Sequence, residues 1–453
     1  MEDLQQIPFS ISVGKSYSPK NNNSDLVNLY VHIEESGAKE NHILVNTSGI
    51  KELIKVDYPI KGIYEFKNTI YIATTERLYT FDILTNNLTE IGTVSFYEKV
   101  IFADNGKDIM IVGGNGYAYT PSTSTLKDMS TEDGWYPSTT VAFMDGYFIF
   151  NREGTGEFFI SGLYSTKLNP IDWATAESAP DDTVGVIVAS RQLWLIGERS
   201  TEVWYDSGDA DFPFTRVPGA VTDIGCPNSS TIARIRQSIL FVGNDNKVYA
   251  TNGYTPQIIS TPAIEKRLIE SDNLYQNAFT YTENGHWFYV LTINANETYV
   301  FDQQTAQWHR RMSGEWSKWS VEGVLSLSDQ NIAFTGNAIH KIDINILTEN
   351  GNRIRREAVS LPLNKTVNKI KIPAVQLDME TAEEQQASVI LQSSKDGGIT
   401  WSNNNYAYTG KIGERLKRVR WLRLGQFRDV IFKIVITDPI SIRILGLWAR
   451  MTR

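Results

Sequence analysis

Cysteine is almost missing: Cys226 is the one thiol in 453 residues. No disulfide framework can form within the chain, so folding must rest on a packed core, and a reducing cytosol is the simplest place of synthesis. No secretory apolar segment opens the chain, and no run of about 18 apolar residues occurs, so no membrane-spanning helix is expected. The sequons Asn87-Leu88-Thr89 and Asn296-Glu297-Thr298 then read as chance products of an Asn-rich chain. Histidine is scarce too. His32, His42, His286, His309 and His340 are far apart, with no spacing that suits structural zinc, and His309 and His340 are expected at strand ends. Long amphipathic helices are lacking; the best short candidate runs from Thr261 to Leu274. Charged residues make up only 21%, and 52 acidic against 43 basic side chains leave a net charge of −9. A protein that grips nucleic acid through its phosphates carries a basic face, so this balance argues against a sequence-reading DNA binder. It does not exclude a wall past which DNA slides without sticking.

What the chain has instead is aromatic sheet-formers, 21 Tyr, 19 Phe and 11 Trp, arranged in a repeat. Seven short apolar cores recur: Ile70–Ala73, Ile109–Val112, Tyr147–Phe150, Leu193–Ile196, Ile239–Val242, Trp287–Val290 and Asn331–Phe334. Their first residues lie roughly 38 to 48 apart, the period of one four-stranded propeller blade. Turn signals precede most of them: Lys67-Asn68, Asp104-Asn105-Gly106, Asp145-Gly146, Asn284-Gly285 and Ser328-Asp329. Asn and Gly tolerate the positive φ that tight hairpins need. A second strand follows each core, as in Leu78–Asp82, Val203–Asp206 and Tyr299–Asp302. One such hairpin cannot bury its apolar face; radial repetition buries the faces against each other.

The expected architecture is all-β: a β-propeller of about seven blades and a small C-terminal antiparallel β-sandwich. Residues 1–57 lack the blade pattern and read as an N-terminal arm, a platform element or a strand that closes the ring. Residues 58–360 hold the blades. From 361 to 453 the pattern changes, with strands expected at Lys369–Ile372, Val375–Met379, Ala387–Ser393, Val419–Leu424, Ile431–Thr437 and Ile440–Met451.

Few residues suggest chemistry. Ser394-Lys395-Asp396-Gly397-Gly398-Ile399-Thr400-Trp401 matches an Asp-box, read as a structural hairpin in which the carboxylate accepts backbone N–H groups. Sialidases carry this hairpin on propeller blades, away from the reacting sugar. A glycosidase needs two carboxyl groups, or a carboxyl and a tyrosine, around one pocket, and no Asp or Glu stands out. Val13-Gly14-Lys15-Ser16 imitates the end of a phosphate-binding loop, but the required earlier glycine falls at Phe9. Trp308, Trp316 and Trp319 read as blade packing. No residue receives a catalytic role, and no metal or cofactor is expected. The candidate site is a basic run in the last domain: Lys411, Arg415, Lys417, Arg418, Arg420, Arg423, Arg428 and Lys433. Arg418-Val419-Arg420-Trp421-Leu422-Arg423 nearly alternates, so the arginines of the run are expected on one ribbon face. That face is read as solvated, as paired with acidic subunits through arginine forks, or as a DNA contact.

Several stretches in order resemble one family. They are Gly14-Lys15-Ser16-Tyr17, Val27-Asn28-Leu29-Tyr30, Ser48-Gly49-Ile50, Ser200–Tyr205, Ile258–Lys266, Arg423–Arg428 and Phe432–Pro439. They resemble the packaged-DNA stabilisation protein, or tail hub, of short-tailed bacteriophages of the Salmonella-phage type. The resemblance implies a non-enzymatic virion protein forming a ring of six copies. The implied partners are the portal and its adaptor, the tail needle, and tailspikes or fibres. Packaged DNA would pass through the channel without sequence-specific binding. The other reading kept open is a carbohydrate-binding or sialidase-like propeller.

Overall fold

In a computed structural model, residues 4–15, 23–34, 40–176, 178–271, 276–294, 296–314, 318–328, 330–363, 368–380, 385–414 and 417–452 are described. Seven four-stranded antiparallel units follow one another. Blade 1 spans Ile60–Thr93, blade 2 Ile101–Asp128, blade 3 Val141–Thr175, blade 4 Thr183–Thr222, blade 5 Ala233–Ile258 and blade 6 Asn277–Arg311. Blade 7 takes three strands from Gly323–Asp343 and its fourth from the N-terminal region, where Gly49–Lys55 pairs antiparallel with Ala338–Asp343. Each of the seven apolar cores read from the sequence forms the second strand of its blade.

Packing shows why the repeat needs a closed ring. The core between blades 1 and 2 joins Tyr71, Ala73 and Leu78 to Ile109, Ile111 and Tyr117. Equivalent cores join blades 2 and 3, 3 and 4, 4 and 5, 5 and 6, and 6 and 7. The last core returns to the start, setting Ile332, Phe334 and Ile339 of blade 7 against Ile60, Ile70 and Ile72 of blade 1. Every blade thus buries both faces, and the N-terminal strand supplies the closing edge. Gly49 is required there. A Cβ would stand 2.2 Å from the Thr348 carbonyl oxygen and 2.5 Å from that of Ile346.

The helix expected between Thr261 and Leu274 is Pro262–Ile269, with proline at its start, where the missing N–H costs nothing. Beyond blade 7 lies a two-sheet sandwich. One sheet runs Val419–Phe427, Ile370–Met379, Arg443–Thr452, His42–Asn46, Leu29–Ile33, with Leu4–Ile7 also on Arg443–Thr452. The two strands expected at 369–379 are one strand, bent where its pairing slips between Ile372 and Ala374. The other sheet holds Asn405–Tyr408, Ser388–Ser394, Ile431–Ile436 and Arg356–Val359. It does not stop there. Arg356–Val359 pairs with Leu26–Val27, which pairs in parallel with the outer strand of blade 6, Gln307–Arg311. One nine-stranded sheet therefore runs from blade 6 into the sandwich.

Five described strands within residues 1–57, Leu4–Ile7, Leu26–Val27, Leu29–Ile33, His42–Asn46 and Gly49–Lys55, are shared among these sheets. Strand Leu29–Ile33 is a party wall: Leu29 and Val31 enter the sandwich core, while Tyr30 enters the core of blades 6 and 7. Alternation along one strand has put consecutive side chains into two different domains.

Candidate assembly surface

The sandwich has a closed side, fused to blade 6, and an open side. On the open side both sheets end, one at Val419–Phe427 and the other at Asn405–Tyr408. Trp421 holds these two edges together: its ring is 2% exposed, and its Nε1–H donates to the Asn405 carbonyl at 2.9 Å. Edge strands leave backbone donors and acceptors unpaired, so this side is where another chain can attach.

The basic ribbon lies along this edge. Val419 and Trp421 point into the core, leaving Arg420 and Leu422 on the outer face, with Arg418 exposed just before the strand. Arg420 donates through Nε to Gln376 Oε1 at 2.8 Å on the neighbouring strand. Strict alternation would send Arg423 into the core. Instead the pairing slips there, Arg423 takes φ +59° and is released to solvent, and Gly425 follows at φ +102°. That bulge bends the edge and limits strand-on-strand pairing. Lys417 and Arg428 are exposed too. Among the described residues, Lys417, Arg418, Arg420 and Arg423 have no ion pair to a carboxylate within 4 Å. Arg415 lies outside the described residues.

Lys433 does not belong to the ribbon. It is 6% exposed, lies 3.7 Å from Glu357, and sits 4.4 Å from the Trp401 ring centroid. Burial holds its ammonium below the usual lysine range, with Glu357 opposing. It sits on a strand whose every residue is buried. Sequence reasoning missed the apolar and aromatic part of the surface. Tyr406 and Tyr408 are about half exposed, while Leu422 and Ile412 are more so. The only signal was the short alternation Asn405-Tyr406-Ala407-Tyr408, in which Ala407 faces inward. Tyrosine and arginine together are the side chains that carry protein interfaces.

The other features singled out in the sequence resolve structurally. In the Asp-box, Asp396 accepts from the backbone N–H of Ile399 and Thr400 and from the hydroxyls of Ser394 and Thr400. Those bonds, the Thr400 hydroxyl first, hold its carboxyl far below the usual range. The carboxylate is engaged within its own hairpin, which Gly397 and Gly398 turn at φ +79° and +85°. Trp308 and Trp319 are buried blade packing, and Trp316 lies outside the described residues.

The histidines depart from expectation. His309 and His340 lie mid-strand and buried, because the fourth strand of blade 6 and the third strand of blade 7 are each covered by a further strand, Leu26–Val27 and Gly49–Lys55. Desolvation, then the charge of Arg311, holds His309 well below the ordinary histidine value. His32 and His286, distant in sequence, meet with Nδ1 and Nε2 2.9 Å apart. Among the described residues no group of three or more His, Cys, Asp or Glu is placed to hold a metal. Burial raises the Cys226 thiol to about 11.

A search of curated proteins found no match. Among solved structures, "Structure of U3-55K" aligns with TM-score 0.41 and 9% identity over 65% of this chain and 98% of that one. "The crystal structure of BamB from Moraxella catarrhalis" aligns with TM-score 0.41 and 9% identity over 75% of this chain and 97% of that one. Family models match nearly the whole chain. The one described as "Bacteriophage P22 Gp10, beta-propeller" matches residues 5–338, and "Bacteriophage P22 Gp10, beta-sandwich" matches residues 357–452. With a propeller and a sandwich in that order, this chain belongs to the bacteriophage P22 Gp10 family of phage structural proteins.

Proposed function

We propose that this virion protein is a tail hub. In this reading six copies form a ring below the portal and its adaptor, carry the distal tail, and help retain packaged DNA. The observation that carries the reading is the nine-stranded sheet joining blade 6 to the sandwich. Backbone pairing across that junction makes the chain a stiff strut, suited to bearing load between a capsid and a tail. The open sandwich edge, with Arg418, Arg420, Arg423, Tyr406 and Tyr408, is the face offered to a neighbouring copy or tail protein. A chain of net charge −9 has acidic surface elsewhere for such a basic edge to meet. Head-to-tail contacts repeated about an axis close a ring when the rotation fits.

A net acidic chain also suits a channel through which DNA must leave, because tight phosphate contacts would stall exit. The absence of an enzymatic role belongs to the same proposal. Its test is electron microscopy of particles assembled without this chain. The expected result is capsids that lack distal tails and lose their DNA; DNA-filled particles with complete tails would overturn the reading.

A further inference from the structure

Asp302, His286 and His32 form a hydrogen-bonded chain that crosses from blade 6 into the sandwich. Asp302 and His286 are each 1% exposed, and His286 Nδ1 lies 2.7 Å from Asp302 Oδ2. That same oxygen accepts from the Thr305 hydroxyl at 2.7 Å, and Oδ1 accepts from the Gln304 N–H at 3.0 Å. Asp302 is thus an acceptor on every side, so the hydrogen between it and His286 resides on Nδ1. In neutral His286 this leaves Nε2 as a lone pair, aimed at His32 Nδ1 2.9 Å away. His32 then donates. It does so from the party-wall strand Leu29–Ile33, which belongs to the sandwich.

The surroundings fix the ring of His286. Phe288 stacks on it with planes 6° apart, and Tyr30 meets it edge-on at 5.0 Å. The charged and titratable groups around it come from every packed element. Glu283 is on its own hairpin, Asp302 on the third strand, His309 and Arg311 on the fourth, Tyr30 on the party wall, and Asp343 of blade 7 lines the same cavity as His286 and Glu283. Burial keeps His309 neutral, raises the Glu283 carboxyl, and lifts the Tyr30 hydroxyl to about 12.

We propose that His32 and His286 form a proton-operated clasp between the sandwich and blade 6. With no added proton, or with one, the facing nitrogens hold one hydrogen between them and the bond stands. One added proton on His286 reverses its direction, with His32 accepting, and leaves His286 paired with Asp302. A second proton puts a hydrogen on both facing nitrogens. No lone pair remains, two like charges face each other, and the bond is lost. Acid therefore loosens the party-wall strand from the propeller while the blade cores, which are apolar, stay packed.

Hydrogen exchange in the intact chain tests this. Protection of Leu29–Ile33, corrected for the intrinsic chemical rate, is compared at about pH 7.5 and about pH 4, because the clasp opens only on the second proton, which the like charge of the first delays. The expected result is an approximately tenfold loss of protection at the lower pH, confined to this strand and the His286 hairpin. His32→Phe keeps a ring and removes the nitrogens, so its protection there should be low at both pH values. His42→Phe, at an exposed histidine, should keep the wild-type response. Unchanged wild-type protection, or the same acid loss in His32→Phe, overturns the clasp. Should His32→Phe fold poorly, ring-nitrogen spectra of the wild-type chain decide. The facing nitrogens must respond together over one pH range, and independent responses overturn the proposal.

Discussion

The Lys99 ammonium lies 2.5 Å from the Ala278 carbonyl oxygen and 3.3 Å from that of Ser230. Lys99 sits in the link between blades 1 and 2, Ala278 on the first strand of blade 6, and Ser230 just before blade 5. One side chain thus spans the central cavity, a space of about 390 Å³ also lined by Lys61, Glu98, Gln276 and Lys318. Desolvation lowers Lys99 to about 8. Replacing it by methionine removes two hydrogen bonds and leaves carbonyls facing an apolar tip. The expected loss is about 1–3 kcal/mol in chemical denaturation. The pH dependence has a definite sign. Between the folded value of about 8 and the unfolded value of 10.5, the unfolded chain holds a proton that the folded chain has released. Stability of the native chain relative to Lys99→Met should therefore rise with pH across that window, and a flat difference would contradict the crossing contact.

Asn28 is the rivet between the two domains. It is 1% exposed, with φ +53°. Its Nδ2 donates to the carbonyls of Met312 at 3.0 Å and Arg355 at 2.8 Å, and its Oδ1 accepts from the Met312 N–H at 3.0 Å. Met312 directly follows blade 6 and Arg355 precedes the strand Arg356–Val359. Asn28→Gly keeps the left-handed backbone affordable and removes only the side-chain bonds. A loss of about 2–4 kcal/mol is expected from three buried hydrogen bonds. Calorimetry should show one cooperative transition in the native chain and a split between propeller and sandwich in the variant.

The blades were legible because their signal is local. Period-2 apolar cores and turns such as Lys67-Asn68, Asp145-Gly146 and Asn284-Gly285 lie side by side in the chain, and each turn takes positive φ. Blades 4 and 5 lack that turn chemistry. Ser190-Arg191 adopt φ +53° and +58°, and Arg236 adopts φ +54°, because the flanking strands impose the hairpin on unfavourable residues. What stayed hidden is non-local. The closing strand Gly49–Lys55, the Leu26–Val27 bridge and the meeting of His32 with His286 join residues hundreds of positions apart. Arg418 and Arg420 were legible as one face, but the bulge that exposes Arg423 and the burial of Lys433 depend on the partner strands.

The basic edge makes a prediction separable from folding. Arg418→Glu, Arg420→Glu and Arg423→Glu together alter exposed side chains that have no carboxylate partner within the described residues. The melting temperature should shift by no more than about 2 °C, since exposed substitutions cost little. The proposed ring assembly, followed by native mass spectrometry against salt, should weaken by at least about tenfold through reversed charge at the proposed contact. Arg423→Gly serves as a control. It should hold or raise stability by relieving the left-handed strain at φ +59°, with assembly only partly reduced.

The Asp-box carboxylate gives an acid signature of its own. Asp396 is held far below its ordinary value by bonds to Thr400, Ser394 and Ile399. Its contribution is present above the unfolded value of 3.8 and is lost as pH falls from there through the folded one. Asp396→Asn should loosen residues 397–402 in hydrogen exchange near neutral pH and abolish further acid loss there. Binding to a glycan array should be the same for both chains; a glycan bound only by the native chain would make the hairpin a recognition element instead.

Ring closure rests on a contact where no side chain fits. Gly49 donates its N–H to the Ile346 carbonyl at 2.6 Å, and an added Cβ would meet two carbonyl oxygens within 2.5 Å. Its backbone is not left-handed, so the constraint is space alone. Backbone carbonyls cannot swing aside as a lysine tip would, and Gly49→Ala must push Gly49–Lys55 off the last blade or shift the loop at Ile346–Thr348. A cost above about 3 kcal/mol is expected, in the range of severe overpacking. Gly106 offers the contrast, since its φ is +82° and a Cβ there meets nothing within 4 Å. Gly106→Ala carries only local backbone strain, about 1 kcal/mol. Proteolysis separates the two mechanisms. If strand pairing seals the ring, Gly49→Ala should expose cleavage sites in residues 49–55 and at the facing edge of blade 7, while Gly106→Ala should be cut no faster than the native chain. Equal resistance in all three would mean that the blades hold together without their N-terminal strand.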